Sequence, residues 1–127
     1  MTNTNDSGPG SLRQAITDAN ANWSIDRIEF NIPTSDAGYN ASTGVFTILA
    51  TTAELPSINN RVLTVDGSTQ TAFTGNTNTT IFGAGGTVGC DAVALAQVDG
   101  PEIEIVDGAG NLKWGLQATE RYITIND

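Results

Sequence analysis

An all-β body opened by one short helix is the fold class that the sequence predicts, and three observations point to it. Hydrophobic residues make up 39% of the 127 residues and charged residues only 15%, so most of the polar surface comes from Thr, Asn, Ser and Gly. That balance suits turn-rich sheets better than helical bundles, whose exposed faces carry Lys and Glu. Beyond residue 25 the apolar residues recur at alternate positions in short runs separated by Gly, Asn, Asp and Ser, the pattern of half-buried strands joined by turns. Near the end of the chain, Ile103 and Ile105 are echoed twenty residues later by Ile123 and Ile125, a period that fits one coil of a β-solenoid. The chain is read as a single domain, 1–127, able to bury roughly two-thirds of the surface of its unfolded form.

The helix is expected over 11–22, because Leu12, Ala15, Ile16 and Ala19 fall at i, i+3, i+4 and i+7, which makes one apolar stripe. Gly8-Pro9-Gly10 forces a turn just before it, and Ser11 with Gln14 forms an S-x-x-Q capping box, which satisfies free N–H groups at a helix start. Trp23 follows the frayed end, positioned to fold over the apolar face.

From 27 to 32 polar and apolar residues alternate until Pro33, the signature of a strand with one buried face. Further strands are expected over 45–49, 61–65, 79–82, 93–98, 102–106, 112–116 and 122–125. Turns lie between them at Asp66-Gly67-Ser68, Gly83-Ala84-Gly85-Gly86 and Asp107-Gly108-Ala109-Gly110, all composed of turn formers. Such a series suits a sandwich, a barrel or a solenoid. The echo favours the solenoid, in which isoleucines of successive coils would stack at the strand spacing of ~4.8 Å. The scarcity of two-residue hairpin signals points the same way.

The run Asn5-Asp6-Ser7-Gly8-Pro9-Gly10-Ser11-Leu12-Arg13-Gln14-Ala15-Ile16, with Ala19-Asn20-Ala21-Asn22 after it, resembles the opening motif of bacterial surface and secreted right-handed parallel β-helix proteins, known by an S-L-R-x-A-I core. The likeness continues through Ile28 to Pro33, Leu55 to Ile58, Leu63 to Gln70 and Gly100 to Ile105. It implies a right-handed parallel β-helix fragment with one N-terminal capping α-helix: capping turn and helix over 5–24, first coils over 25–127. Ser11, Leu12, Arg13, Gln14, Ala15, Ile16 and Ala19 would form the structural cap. The family's members continue for many coils, so the chain is expected to be a truncated segment without its signal peptide. Its partners would be the downstream coils, or a second copy at the exposed final strand edge.

Five basic and fourteen acidic residues give a net charge of -9, which repels phosphate backbones and anionic bilayers. Nucleic acid is not expected as a partner. No apolar run approaches the ~20 residues of a membrane span, so membrane insertion is not expected either. Cys90 stands alone and the chain has no His, leaving a thiol with no imidazole base to activate it; it reads as a small buried apolar side chain.

Glu102 and Glu104 share a strand face with side chains about 6 to 7 Å apart, a distance that serves glycoside hydrolysis or holds a cation. With Ile103 and Ile105 turned inward, alternation puts both glutamates in solvent. Asp66, Asp99 and Asp107 each precede Gly; they read as turn formers, with calcium between coils as the alternative and no other cofactor expected. Arg13 reads as structural, bridging to Asp6 or to a strand-end carbonyl. Trp23, Trp114, Tyr39 and Tyr122 carry faces on which a sugar can stack, and Trp114 joins Glu102 and Glu104 as a candidate contact for carbohydrate. The function expected is a non-catalytic structural or adhesive module in an extracellular or cell-surface setting. Two alternatives stand beside it: a fragment of a polysaccharide lyase or glycoside hydrolase with its catalytic residues downstream, and a small carbohydrate-binding module.

Overall fold

The structure, a computed structural model, describes residues 1–22, 24–59, 62–108, 110, 115–119 and 123–126. Its elements in chain order are α1 (Leu12–Ala21), β1 (Asp26–Glu29), β2 (Tyr39–Asn40), β3 (Val45–Ala50), β4 (Leu63–Asp66), α2 (Ser68–Thr74), β5 (Ile81–Phe82), β6 (Thr87–Val88), β7 (Val93–Ala94), β8 (Val98–Asp99), β9 (Ile103–Asp107) and β10 (Ile123–Asn126). The first residues of α1 are set by local chemistry. Gly8 and Gly10 take positive φ, which admits the turn before the helix, and the Ser11 hydroxyl accepts from the Gln14 amide at 3.2 Å. The Gln14 side chain does not reach back to complete the box; it donates to Asp18 Oδ1 at 2.7 Å.

The strands of the described residues form four small sheets. One has the order β1-β4-β10 and another β2-β3-β9, while β5-β8 and β6-β7 are two-stranded. In the first sheet Ile28, Val65 and Ile125 are parallel neighbours; in the second, Phe46 lies beside Ile103 and Ile48 beside Ile105. Leu12 and Ile16 of α1 pack with Ile28, Phe30, Ile32, Phe46, Ile48, Leu55, Ile58, Leu63 and Val65 in one apolar cluster. The helix thus walls one side of the layer that the strands line.

This architecture corrects the expectation of an all-β, right-handed parallel β-helix. Among the described residues the chain is a small mixed α/β fold with two helices and several small sheets, neither closed nor wound as a solenoid. Three of the six strand pairings among the described residues are antiparallel: β2 with β3, β5 with β8 and β6 with β7. The twenty-residue echo does not build a column, because Ile103 sits beside Phe46 in one sheet and Ile123 beside Leu63 in the other. Alternation identifies a strand with one buried face but does not say which strand lies next to it. With the β-helix goes the reading of 25–127 as its coils, and the fold gives no support to the secreted, bacterial setting that the resemblance implied.

The hairpins escaped notice because neither uses a two-residue turn. Between β2 and β3 a four-residue loop closes with Gly44 donating to the Asn40 carbonyl at 2.8 Å and taking φ +74°. A Cβ on Gly44 would fall 1.8 Å from the Thr77 carbonyl oxygen, so glycine is required there twice over. Helix α2 begins at the expected Asp66-Gly67-Ser68 turn, and its sequence hides it because Ser68, Thr69, Thr71 and Thr74 make no apolar stripe. The expected strand over 112–116 lies mostly outside the described residues, as do Trp23, Arg61, Trp114 and Tyr122. No helix among the described residues is long and apolar enough to cross a membrane.

Ile16 is fully buried at the centre of the helix–sheet contact. Ile16→Ala is expected to lower the unfolding free energy by about 2 to 5 kcal/mol, the range for an emptied core site, read from urea denaturation by circular dichroism.

Candidate functional site

Two polar junctions and one apolar groove concentrate the chemistry of the described surface. The first junction ties α1 to the segment after β3. Arg13 lies one residue past the start of α1, which aims its guanidinium back toward the preceding loop. It donates from Nε to the Asp6 carbonyl at 2.9 Å and from Nη2 to Asp6 Oδ1 at 2.7 Å. The same guanidinium donates to the Ala53 and Glu54 carbonyls. Asp6 Oδ2 in turn accepts from the amides and hydroxyls of Thr51 and Thr52, at 2.7 to 3.1 Å. Arg13 thus bridges to Asp6, as expected, and the carbonyls it reaches belong to the loop after β3 and not to a strand end.

Burial opposes the charge on the Asp6 carboxyl, but the hydrogen bonds from Arg13, Thr52 and Thr51 outweigh it and hold the group well below the usual carboxylate range. The second junction works alike. Asp66 Oδ1 accepts from the Ser68 hydroxyl at 2.6 Å, and its Oδ2 is paired with Arg27 of the neighbouring strand. Hydrogen bonds from Ser68 and Arg27 outweigh burial and hold this carboxyl below its ordinary value too. Asp66 therefore serves as the hinge between β4 and α2.

The glutamates part company. Glu102 is only 9% exposed and accepts from the Thr71 hydroxyl of α2 at 2.7 Å, so the expectation that it lies in solvent is corrected. Alternation placed it outside; a helix unseen in the sequence covers it. Glu104 is exposed, with the Thr47 hydroxyl at 3.4 Å. The structure does not bring the two together as a matched pair facing a common space. Asp99 accepts from Asn76 Nδ2 at 3.1 Å, far along the chain from Asp66, and no group of three or more metal-ligating side chains occurs among the described residues. Tyr39 stacks at 4.7 Å on Phe46 within the core region, while the other candidate sugar-stacking aromatics lie outside the described residues. Cys90 is exposed, not buried as expected, because it sits on the turn between β6 and β7.

The groove lies between the last strands of the two larger sheets. Phe30, Val65, Ile103, Ile105, Leu116 and Ile125 line a cavity of about 200 Å³, with Pro101 and Glu102 at its rim. Nothing in the sequence pattern distinguished these apolar residues from those of the closed core; only their position at the ends of the sheet orders does. Comparison of the chain with protein-family models, curated proteins and solved structures returns no match. The site is therefore read from its own geometry.

The depressed carboxyls give stability a definite pH dependence. Groups whose native values lie below their unfolded ones contribute fully above about pH 4, and that contribution is lost as pH falls toward the native values. The urea midpoint is expected to drop steeply between about pH 4 and 2 in the wild-type chain. Asp6→Asn, less stable by about 2 kcal/mol at neutral pH through loss of charged hydrogen bonds, should show a shallower fall, its deficit shrinking with acidity. Parallel curves for the two proteins would remove Asp6 from this role.

Proposed function

We propose that the chain is a non-catalytic structural and interaction module that takes up an extended polypeptide strand at the groove between β9 and β10. A break in burial at the terminal strands carries the reading. Along the parallel register Ile28 is 5% exposed, Val65 4% and Ile125 61%. In the other sheet Phe46 and Ile48 are buried while their neighbours Ile103 and Ile105 are only half-buried. Among the described residues each apolar row is thus covered on the α1 side and less covered at β9 and β10, which are terminal strands of their sheets.

A terminal strand offers a row of backbone donors and acceptors to an incoming strand, with pockets for its alternate side chains. Apolar residues at every second position of that strand would cover Ile105 and Ile125. The intervening residues would stand beside exposed Glu104, in a chain of net charge -9, so the complementary partner is basic at those positions. An extracellular setting belongs to the same reading and rests on composition alone, the surface being rich in Thr, Asn and Ser and poor in Lys.

A synthetic peptide of alternating isoleucine and lysine is the probe. Titrated into the isotope-labelled chain, it is expected to shift the amide resonances of β9 and β10 and the side-chain signals of Phe30 and Val65. Ile125→Lys should abolish these shifts while leaving the fold intact. Shifts confined to other surfaces, or none at saturating peptide, would defeat the proposal.

A further inference from the structure

The antiparallel ribbon built by β5 to β8 rejoins the body at Gly100, and between this junction and α2 lies a cleft of about 410 Å³. Its lining meets that of the apolar groove only at Pro101 and Glu102. Thr71 of α2 and Asn76 just past it face Glu102 and Asp99: the Thr71 hydroxyl donates to Glu102 Oε2 at 2.7 Å, and Asn76 Nδ2 donates to Asp99 Oδ2 at 3.1 Å. The segment that carries both carboxylates is pinned in place. The Gly100 amide donates to the Thr80 carbonyl at 2.7 Å and Asn78 Nδ2 to the Pro101 carbonyl at 2.8 Å. A Cβ on Gly100 would fall 2.5 Å from that same Asn78 nitrogen, so the close approach requires glycine.

Each carboxylate spends one oxygen inside the protein and keeps the other free. Glu102 is nine-tenths buried, yet its Oε1 has no hydrogen-bond partner. No buried side-chain oxygen among the described residues lacks a partner, so Oε1 opens to solvent. Thr71 lines the cleft and not the groove, and its bond to Oε2 turns the carboxylate toward the cleft. Asp99 Oδ1 is likewise unpartnered. The ion pairs of the described residues join Arg13 to Asp6 and Arg27 to Glu29 and Asp66, and none includes Asp99 or Glu102. A carboxylate this deep without a cation gains most from a ligand that brings one.

The remaining walls choose among cations. Ala72, Val98 and Pro101 make part of the lining apolar. A guanidinium is weakly hydrated, carries five donors in a planar fork that can reach two carboxylates, and sits on a methylene stem that covers apolar surface; an ammonium holds its water more strongly. A sugar would stack on an aromatic face, and no described aromatic residue lines the cleft. We infer that the cleft is a binding site for an alkyl guanidinium group, with Glu102 Oε1 and Asp99 Oδ1 as its acceptors. The inference does not depend on uptake of a strand at the groove.

Titration of the isotope-labelled chain with N-acetyl-arginine methylamide, and separately with agmatine, tests it. Saturable shifts are expected at Thr71, Asn76, Asp99 and Glu102; the first probe stands for an arginine within a partner chain and the second for a free small molecule, and the tighter of the two tells which source supplies the group. Glu102→Gln keeps the oxygen that accepts from Thr71 and removes the charge, so it should weaken binding about tenfold with an unchanged circular dichroism spectrum. Asp91→Asn removes an equal charge from the ribbon and should leave the affinity as it was. The citrulline counterpart of the first probe, of the same shape without the charge, should not bind, and the lysine counterpart should bind several-fold more weakly; these arms need no substitution. Asp99→Asn, outside the groove's lining, should weaken the arginine probe and leave the shifts that the isoleucine and lysine peptide causes at Phe30 and Val65. The inference is overturned by the absence of saturable shifts in the cleft, by an affinity that Glu102→Gln leaves unmoved or that Asp91→Asn lowers equally, by citrulline or lysine counterparts that bind as tightly, or by an Asp99→Asn chain that loses both ligands together.

Discussion

The contact between α1 and the first strands closes the apolar layer on one side, and the two three-stranded sheets can bury their inner faces only because it does. Leu12 and Ile16 are wholly buried in that contact, and each such side chain is worth about 1.5 to 3 kcal/mol on leaving water. Short parallel strands with six residues or fewer have little stability in isolation. The helix supplies the opposing surface that makes their alternation count. Away from α1 the same rows stay buried through β4 and β3 and lose cover at β9 and β10.

Polar side chains do structural work wherever backbone pairing fails. Asp6 gathers the amides and hydroxyls of Thr51 and Thr52, and Arg13 satisfies the carbonyls that follow. Asn20, near the end of α1, donates to the Ser57 carbonyl and accepts from the Asn59 amide. Among the described residues no buried side-chain nitrogen or oxygen lacks a partner, as a satisfied interior requires. The shortage of lysine and the wealth of Asn, Asp and Thr thus reflect a chain that ties its loops with short side chains.

Much of the local structure was legible in the residues. The stripe Leu12, Ala15, Ile16, Ala19 marked α1 to within a residue at each end, and alternation marked the centres of β1, β3, β4 and β9. What could not be read was which strand lies beside which, since period two encodes a face and not a neighbour. Local turn chemistry also hid the ribbon: its tip turns through Ala92 at φ +49°, where a glycine or asparagine is the usual sign. The groove escaped for a related reason. Ile105 and Ile48 look alike as sequence, and only their order in the sheet makes one half-covered and the other enclosed. Glu102 misled because its cover comes from α2, whose threonine-rich sequence bears no helical stripe.

Helix α2 itself has a role that its size conceals. Thr69 Oγ1 accepts from the Phe30 amide, Gln70 Oε1 from the Ile32 amide, and Gln70 Nε2 donates to the Ile32 carbonyl, each at 2.8 or 2.9 Å. Side chains here impersonate a strand, extending the ladder past the end of β1 with amide and hydroxyl groups in place of peptide ones. A single glutamine thereby sets the alignment of two segments 38 residues apart. These bonds carry the β1–β4 side of the ladder onward, while the opposite edge of the same segment is met by the chain's first residue, whose carbonyl accepts from the Asn31 amide at 2.9 Å.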